Sequence, residues 1–287
     1  IIHLDIDPAE IDKNVKTTVP VWGNCKKTLP MLTALLKEND HSAWLEKFRE
    51  LEKGEIKEVI QNELNPTTDV MTMGEVIKVL NELTNGDAII TTDVGQHQMF
   101  AALYYKYDSP RQWLNSGGLG TMGVGLPYAM AAKLAFPEKT VVCITGEGSI
   151  QMNIQELSTC LQYNLPVKIL NLNNAQLGMV KQWQDMLYEA RHAQSYMKSL
   201  PDFVKLAESY GHKGVKITNS ATMEAELKAA LEMDGLVFID VYVDRTEEEL
   251  SSKDREGVLE NIKLRCKVSH LLSGELEIQY NILPLKK

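Results

Sequence analysis

The sequence predicts an α/β fold: a doubly wound parallel sheet with helices on both faces, preceded by the end of a second α/β domain. From residue 66 onward, short runs rich in Val and Ile alternate with helical patterns, which is the order that βαβ units produce. Parallel strands joined by helices form sheets that are covered on both faces. Ligands of such sheets bind at the carboxyl ends of the strands, so the functional site is expected at that edge.

The first 65 residues predict two strands and two helices. Residues 1–6 alternate like a half-buried strand that enters a turn, not like a secretory signal, so the N-terminus is expected to be cut from something longer. The charged stretch 43–64 carries Trp44 and Phe48 at helical spacing, as expected for a helix that lies over another domain. The other two elements are a strand at 18–22 and a helix at 27–36.

A cluster of helix breakers, Asn-Pro-Thr-Thr-Asp at 65–69, marks the predicted domain boundary. The predicted divisions are a domain remnant at 1–40, a linker helix at 41–65, the sheet domain at 66–245 and a tail at 246–287. In the tail we predict a helix at 258–264 and a strand at 275–280.

The sheet domain is predicted to alternate strictly between helices and strands. Asn153, with Glu156 three residues later, predicts a capped helix start. The predicted helices are 73–83, 99–107, a glycine-rich loop with helix at 117–136, 153–163, segments across 178–211, and 221–233. The predicted strands are 88–92, 140–145, 167–172, 214–217 and 237–243.

Composition and charge exclude several classes of function. The 287 residues are 44% hydrophobic and 24% charged, as in ordinary globular proteins, and the net charge of -9 disfavours nucleic acid and anionic membranes as partners. The sequence contains no run of about 20 apolar residues, so no membrane helix is predicted. The four cysteines, Cys25, Cys143, Cys160 and Cys266, form no CxxC pair, so neither a thiolate metal site nor a disulfide framework is indicated. Free thiols favour a reducing, cytoplasmic compartment.

Two loops at strand ends predict a metal site. The strand at 140–145 runs into Gly-Glu-Gly-Ser, which contains Glu147, and the strand at 167–172 ends in an Asn pair whose second member is Asn174. One βαβ crossover separates them, so both side chains are expected at the same edge of neighbouring strands. A carboxylate and an amide suit Mg²⁺, which readily bridges to phosphate oxygens. The predicted ligand is a diphosphate.

The backbone around Glu147 is also suited to a diphosphate. Flanking glycines allow close approach, and the N–H groups of Gly148 and Ser149 can form a small anion nest. Alternatives remain open at this point: Gly-x-Gly after a strand is often only a tight turn, Glu147 alone fits a solvated turn, and Asn174 alone fits a cap.

A second anchor follows the strand at 88–92, where the sequence reads Asp93-Val94-Gly95-Gln96-His97. His97 can donate a hydrogen bond to a phosphate from this strand end. The alternative is a structural or surface histidine whose hydrogen bonds are satisfied within the protein.

Gly146-Glu147-Gly148 followed by Asn173-Asn174 resembles the thiamine diphosphate motif, which is usually Gly-Asp-Gly and then Asn-Asn. Other stretches resemble the acetolactate synthase (acetohydroxyacid synthase) family in particular, and the likeness runs from residue 1 to about 245. These stretches are Val-Gly-Gln-His-Gln-Met at 94–99, Ser-Gly-Gly-Leu-Gly-Thr-Met-Gly at 116–123, Met-Asn-Ile-Gln-Glu-Leu at 152–157 and Leu-Gly-Met-Val-Lys-Gln-Trp-Gln at 177–184.

The resemblance implies a thiamine diphosphate-binding fold and a role for each matching residue. Gly120 would accept a hydrogen bond from the 4'-amino group of the cofactor through its carbonyl, and Met122 would hold the cofactor bent. Met179 and Trp183 would line the substrate pocket, although two residues four apart on a helix are otherwise simply core residues. The diphosphate would be held by Val94, Gly95, Gln96, His97, Gly148 and Ser149, and Mg²⁺ by Glu147, Asn174 and the main-chain carbonyl of Gln176.

The reaction implied is the thiamine diphosphate-dependent decarboxylation of pyruvate and its carboligation to a second 2-oxo acid, pyruvate or 2-ketobutyrate, in branched-chain amino acid biosynthesis. The resemblance also implies FAD in the full subunit, a homodimer or tetramer, and a small regulatory subunit. Alternatives are another thiamine diphosphate enzyme, of the pyruvate oxidase or glyoxylate carboligase type, or a non-catalytic diphosphate-binding module. The run Gly-Met-Val-Lys-Gln-Trp at 178–183 favours acetolactate synthase.

The sequence departs from the family pattern in four places. Glu147 stands where the family has Asp, and Asn24 stands in a segment where it has Gly-Asp. The family's N-terminal domain, which supplies the glutamate that protonates the pyrimidine ring of the cofactor, is not part of these 287 residues. Residues 247–287 do not resemble the family's closing segment. We therefore expect these residues alone to be inactive.

Overall fold

The computed structural model describes residues 1–244. The tail predicted at 246–287, with its helix at 258–264 and strand at 275–280, lies outside the described residues, as does Cys266. The chain divides into two compact units, Ile1–Lys57 and Glu58–Lys287. This division falls inside the predicted linker 41–65.

The first unit contains a small parallel sheet and two helices. Strands β1 and β2 pair in parallel from Ile2↔Val19 to Asp5↔Trp22. The side chain of Asn24 accepts a hydrogen bond from the Lys26 N–H, and this cap starts the first helix two residues earlier than predicted. The elements are β1 Ile2–Asp5, a 3₁₀ turn Pro8–Glu10, β2 Val19–Trp22, α1 Cys25–Thr33 and α2 Ser42–Glu55.

The predicted helix 43–64 is interrupted by one π-helical turn at Ile56–Ile60, which joins α2 to the short helix α3, Gln61–Leu64. The remaining helices of the second unit are α4 Met73–Leu83, α5 Gln96–Tyr104, α6 Gly125–Ala135, α7 Glu147–Ile150, α8 Glu156–Gln162, α9 Gly178–Leu187, α10 Phe203–Ser209 and α11 Ser220–Glu232. Its strands are β3 Ile89–Thr92, β4 Trp113–Leu114, β5 Val141–Thr145, β6 Lys168–Asn173, β7 Lys213–Ile217 and β8 Val237–Tyr242.

These six strands form one parallel sheet in the order β4-β3-β5-β6-β8-β7, with a buried apolar cluster on each face, so the predicted fold class is confirmed. Helix α4 packs Val76, Ile77 and Leu80 into one cluster. On the other face the rings of Phe203 and Phe238 stack with centroids 5.6 Å apart. Strands β3, β5 and β6 therefore end side by side at one edge of the sheet.

Several local predictions are wrong. Helix α5 spans Gln96–Tyr104 and not 99–107. Strand β4 was not predicted because two residues cannot show a periodic pattern. Helix α8 begins at Glu156 and not at Asn153, since the Asn153 side chain donates to the Gly123 carbonyl at 2.8 Å and caps nothing. The predicted helical stretch 178–211 contains a non-helical segment between α9 and α10, which includes residues 188–197.

Among residues 1–244 no helix is both long enough and apolar enough to cross a membrane.

Helix α4 is anchored at its first turn by a half-buried glutamate, Glu63. The Gly74 N–H donates to Glu63 Oε1 at 2.6 Å, and Thr72, the residue that caps α4, donates its hydroxyl to the Glu63 carbonyl. Burial raises the pKa of Glu63 to about 7 against the lowering effect of the Gly74 hydrogen bond, with a further rise from the charge of Asp244.

Replacing Glu63 with Gln is expected to make stability less dependent on pH. Because the folded-state pKa is raised, wild-type stability is complete below the unfolded value near 4.5 and is lost as pH rises through about 7. Glutamine keeps the acceptor for Gly74 without the charge. The free energy of unfolding of Glu63→Gln relative to wild type, measured with denaturant, should therefore be higher at pH 8 than at pH 5. The expected difference is on the order of 1–2 kcal/mol, allowing for solvent screening. Glu82→Gln, on the exposed face of α4, is the control, and equal pH profiles for all three proteins would contradict the prediction.

Candidate functional site

A cavity of about 610 Å³ opens at the carboxyl edge of the sheet. Most of the residues predicted to bind a cofactor, a metal or a substrate lie in its wall. The wall is formed by Met73, Val94, Gly95, Gln96, His97, Met122, Gly146, Glu147, Gly148, Ser149, Leu172, Asn174, Gln176, Leu177, Gly178, Met179, Val180, Trp183, Gln184, Tyr188 and Arg191.

Three oxygen-bearing groups converge in the wall of this cavity. With the Asn174 amide placed as in the structure, its Oδ1 lies 3.2 Å from Glu147 Oε1 and 3.1 Å from the main-chain oxygen of Gln176. In this orientation Asn174 Nδ2 donates to Gln96 Oε1 at 3.3 Å. Rotating the amide by 180° instead lets Nδ2 donate to both oxygens. The position between the three groups is therefore taken either by a hydrogen-bond donor or by a cation.

The arrangement fits Mg²⁺. Oxygens in adjacent positions of a magnesium octahedron are about 3 Å apart, given Mg–O distances near 2.1 Å. A carboxylate, an amide oxygen and a carbonyl are hard ligands that leave further positions for water or phosphate. In the described part of the chain no group of three or more His, Cys, Asp or Glu residues can hold a metal. The three converging groups include only one carboxylate, that of Glu147.

Glu147 is buried, at 1% exposure, and burial raises its pKa to about 7 despite backbone hydrogen bonds that lower it. One of these donors is the Gln176 N–H, 2.6 Å from Oε1. Gln176 thus contacts Glu147 through its N–H while its carbonyl lies next to Asn174. The main chain after β6 is held against the loop after β5.

His97 lines the cavity and carries a buried ring nitrogen that makes no hydrogen bond within the described residues. The ring is 5% exposed, and its Nε2 has no hydrogen-bond partner in the part of the chain that the structure describes. Burial lowers the pKa of His97 to about 3, opposed by a hydrogen bond to the backbone of Asp93. The imidazole is therefore neutral. A neutral ring fixed on one side, with a free nitrogen on the other, is suited to a polar ligand such as a phosphate oxygen.

Glycines give this arrangement its space. A Cβ at Gly146 would lie 2.8 Å from His97 Nδ1, and a Cβ at Gly148 would lie 2.6 Å from Leu177 Cδ2. A Cβ at Gly178, the first residue of α9, would overlap Gln96 Oε1. Each of these contacts is between two different loops of the site. The loops approach each other so closely that a side chain at any of the three glycines would clash.

Asp93 joins three parts of the site through hydrogen bonds. One carboxylate oxygen accepts the Gly125 N–H at 2.8 Å, and the other accepts the Thr145 hydroxyl at 2.7 Å. Burial raises its pKa against these hydrogen bonds. The same residue holds the His97 ring through its backbone. Asp93 therefore fixes the start of α6, the end of β5 and His97 relative to one another.

The glycine-rich loop before α6 is only partly in the cavity wall. Met122 lines the cavity, whereas Gly120 is exposed and is not among the lining residues. Gly120 has a φ of +70°, a left-handed conformation that favours glycine. The structure thus brings every predicted site residue except Gly120 into one wall.

Met179 and Trp183 line the outer part of the cavity from α9, and Trp183 is 55% exposed. They are therefore not core residues, which was the alternative interpretation. Tyr188 and Arg191, which the sequence did not single out, complete this part of the wall. Both come from the chain that leaves the end of α9.

We name residues 188–197 the return segment, because they run back from the end of α9 to its start. The reversal uses two left-handed residues, Glu189 and Ala190, with φ of 56° and 54°. The His192 ring lies 2.6 Å from Asp185 near the end of α9. At its other end the segment reaches the loop after β6, where Ala175 and Leu177 exchange backbone hydrogen bonds of 2.9 and 2.7 Å with Met197 and Ser195.

The tight packing of Gly146 predicts a clear effect of adding one methyl group. Gly146→Ala places a Cβ against the buried His97 ring, which cannot move without losing its contact with Asp93. We expect a loss of about 1–3 kcal/mol in the free energy of unfolding, measured by denaturant titration. Gly118→Ala, where no atom lies within 4 Å of the new Cβ, should change it by less than about 0.5 kcal/mol. A Gly146 variant as stable as wild type would show that the ring has room to move.

Comparison with known proteins places this site in a family. The family model described as "Thiamine pyrophosphate enzyme, C-terminal TPP binding domain" matches residues 93–241, just over half of the chain. The match covers the strand ends, the glycine-rich loops and α9.

Relatives extend the likeness to the first unit. The chain is 52% identical over 275 residues to "Acetolactate synthase large subunit" of Buchnera aphidicola subsp. Schlechtendalia chinensis, which covers 92% of this chain and 47% of that protein. It is 49% identical over 271 residues to "Acetolactate synthase isozyme 3 large subunit" of Escherichia coli (strain K12), with 92% and 47% covered. For "Acetolactate synthase 1, chloroplastic" of Nicotiana tabacum the identity is 41% over 277 residues, with 91% and 40% covered.

The chain spans about half the length of the curated relatives that it matches. Its matched region carries the sheet edge, the converging oxygens and the His97 pocket described above. The chain therefore belongs to the thiamine pyrophosphate enzyme family, through the C-terminal TPP binding domain of that family.

Proposed function

We propose that this chain is the cofactor-holding part of an acetolactate synthase catalytic subunit, which decarboxylates pyruvate and joins the product to a second 2-oxo acid, pyruvate or 2-ketobutyrate. The observation that carries the proposal is the convergence of Glu147, Asn174 and the Gln176 carbonyl beside His97 in one cavity. Identities of 49–52% to acetolactate synthase large subunits support it.

The residues of the cavity would hold the two charged parts of the cofactor. Glu147, Asn174 and the Gln176 carbonyl would bind Mg²⁺ at its hard-ligand positions. His97 Nε2 and the backbone around Gly148 would contact the diphosphate, together with Val94, Gly95, Gln96 and Ser149, which lie in the same wall. Neutral His97 would contribute a hydrogen bond to the diphosphate but no charge. When bound, thiamine diphosphate supplies the carbanion chemistry that amino acid side chains lack.

The glycine-rich loop would orient the cofactor. Met122 projects into the cavity and is suited to hold the cofactor bent. The Gly120 carbonyl is proposed as the acceptor for its 4'-amino group. Asp93 supports this loop through its hydrogen bond to Gly125, so the position of Met122 is tied to that of His97.

The outer wall would exclude water and select the second substrate. Met179, Val180 and Trp183 present an apolar surface to the cavity. A dry pocket matters because capture of a solvent proton after decarboxylation would end the reaction at an aldehyde. The indole of Trp183 would favour the longer acceptor, since one extra methylene in an apolar pocket is worth about 1–3 kcal/mol.

Further parts of this proposal concern the rest of the assembly. FAD, a homodimer or tetramer, and a small regulatory subunit are proposed because the matched relatives are acetolactate synthase large subunits. A cytoplasmic location is proposed from the cysteines, of which Cys143 and Cys160 are buried free thiols.

Calorimetric titration with thiamine diphosphate, with and without Mg²⁺, tests the cofactor site. Wild type should bind in a Mg²⁺-dependent manner, and Glu147→Ala should lose that dependence because the only carboxylate among the proposed ligands is gone. Glu138→Ala, an exposed glutamate that does not line the cavity, is the matched control. Unchanged Mg²⁺ dependence in Glu147→Ala would remove Glu147 from the site.

The reaction itself is tested in a subunit of full family length. Acetolactate, acetyl phosphate and tartronate semialdehyde are measured as products, and the proposal requires acetolactate. In that subunit Trp183→Leu should lower the preference for 2-ketobutyrate over pyruvate by roughly tenfold or more, because the apolar contact to the extra methylene is lost. Met186→Leu, on the same helix but outside the cavity wall, should keep the wild-type preference. An unaltered preference in Trp183→Leu would assign selectivity to other residues.

A further inference from the structure

A buried carboxylate lies in the sheet behind the proposed cation site. Asp240 on β8 is 2% exposed, and one of its oxygens, Oδ1, accepts from Asn171 Nδ2 at 2.7 Å and from Asn173 Nδ2 at 3.1 Å. Asn171 and Asn173 are themselves 0% and 2% exposed. Three polar side chains thus share one acceptor oxygen in the sheet interior. None of the three belongs to the cavity wall.

The register of the sheet explains how these side chains meet. Asn171 pairs directly with Asp240, and Asn173 pairs with Tyr242 two positions further along β8. Side chains two residues apart on a strand point to the same face, so Asn171 and Asn173 both face Asp240. The preceding residue on this face of β6, Ile169, is part of an apolar core. Polarity on this face therefore begins where the strand approaches the proposed cation site.

Asn173 transmits this contact to the loop that holds the proposed ligands. Its amide nitrogen donates to Asp240, and its Oδ1 accepts the Ala175 N–H at 3.2 Å. Ala175 has a φ of +56°, a left-handed conformation that is unfavourable for a residue with a Cβ. This turn separates Asn174 from Gln176, so the orientation of both proposed ligands depends on it. The Asn173 side chain is held at both ends.

We propose that Asp240 is a positioning residue: through Asn173 it holds Ala175 in the left-handed turn that aims Asn174 and the Gln176 carbonyl at the cation. This inference rests on the proposed function for the identity of the cation, but the turn itself is a property of these residues. A carboxylate suits the role because its oxygen accepts two hydrogen bonds from donors and its negative charge strengthens both. Residues behind a metal ligand typically contribute a factor of 10–100 to metal affinity.

The test compares two substitutions that break different bonds at the same oxygen. Asp240→Val removes the acceptor for both asparagines. Asn171→Val removes the other donor but leaves the bond between Asn173 and Asp240 intact, so it is the matched control. Asp240→Asn keeps an acceptor oxygen without the charge. Each variant is made in the 287-residue chain, and its cooperative unfolding is checked first.

Two measurements are made on each variant. The first is the Mg²⁺ concentration that gives half-maximal binding of thiamine diphosphate by calorimetry. The second is hydrogen exchange of the Ala175 amide by NMR without any ligand, which reports directly on its bond to Asn173. Loss of packing alone would not affect that amide selectively.

We expect Asp240→Val to raise the required Mg²⁺ concentration at least about tenfold and to speed Ala175 exchange by a similar factor. Asn171→Val should stay within about twofold of wild type in both measurements, and Asp240→Asn should lie between them. The inference is overturned if the Asp240 variants match wild type, or if Asn171→Val changes as much as they do. If Asp240→Val does not fold, Asp240→Asn against Asn171→Val decides the question.

Failure of the proposed function would give a different result. A wild-type chain that binds no thiamine diphosphate at any Mg²⁺ concentration contradicts the proposed function. Ala175 exchange in the same variants still decides whether Asp240 holds the turn.

Discussion

At the end of the sheet one atom of the Asn174 side-chain amide lies 3.2 Å from Glu147 Oε1 and 3.1 Å from the main-chain oxygen of Gln176, so these acceptors require either an amide N–H or a cation between them. This requirement depends on the pairing of β5 with β6, which sets the loop containing Glu147 beside the loop containing Asn174. The pairing in turn depends on apolar strands that are buried on both faces. Chemistry at this edge is therefore a consequence of core packing, because a one-residue slip between the strands would turn these side chains away.

Two buried aspartates, Asp93 and Asp240, hold the strands and loops around the site in place. Asp93 ties β3 to the end of β5 and to the start of α6, and Asp240 ties β8 to the loop after β6. Both carboxylates are buried, and burial raises the pKa of each against the hydrogen bonds that they accept. Their cost in desolvation is offset by fixed hydrogen bonds, which give the loops one arrangement instead of several.

Sequence alone predicted the sheet and the pairing of the Glu147 and Asn174 loops, because parallel crossovers leave few topologies. Helix α4 was predicted at its observed bounds, since Thr72 caps it and its apolar periodicity is regular. The start of α8 was not, because Asn153 has the composition of a cap but its amide is bonded to Gly123 across the fold. Long-range partners of polar side chains leave no trace in local sequence.

The candidate site was predictable where it lies at strand ends and unpredictable where it depends on the path of a loop. Val94 to His97 and Gly148 follow strands directly and carry recognisable motifs. Tyr188 and Arg191 reach the cavity only because Glu189 and Ala190 adopt left-handed conformations that their residue types do not signal. The contacts of Asp240 were not predicted for a related reason. The hydrogen bonds of an acidic residue inside an apolar strand depend on its neighbours across the sheet, here Asn171 and Asn173.

The return segment joins two regions with different tasks. It carries Tyr188 and Arg191 at one end, and at the other its backbone is bonded to Ala175 and Leu177, on either side of Gln176. The positions of Tyr188 and Arg191 in the cavity wall are therefore set relative to the loop that carries Gln176. The length of the return segment thus shapes the outer cavity as much as the side chains that it carries.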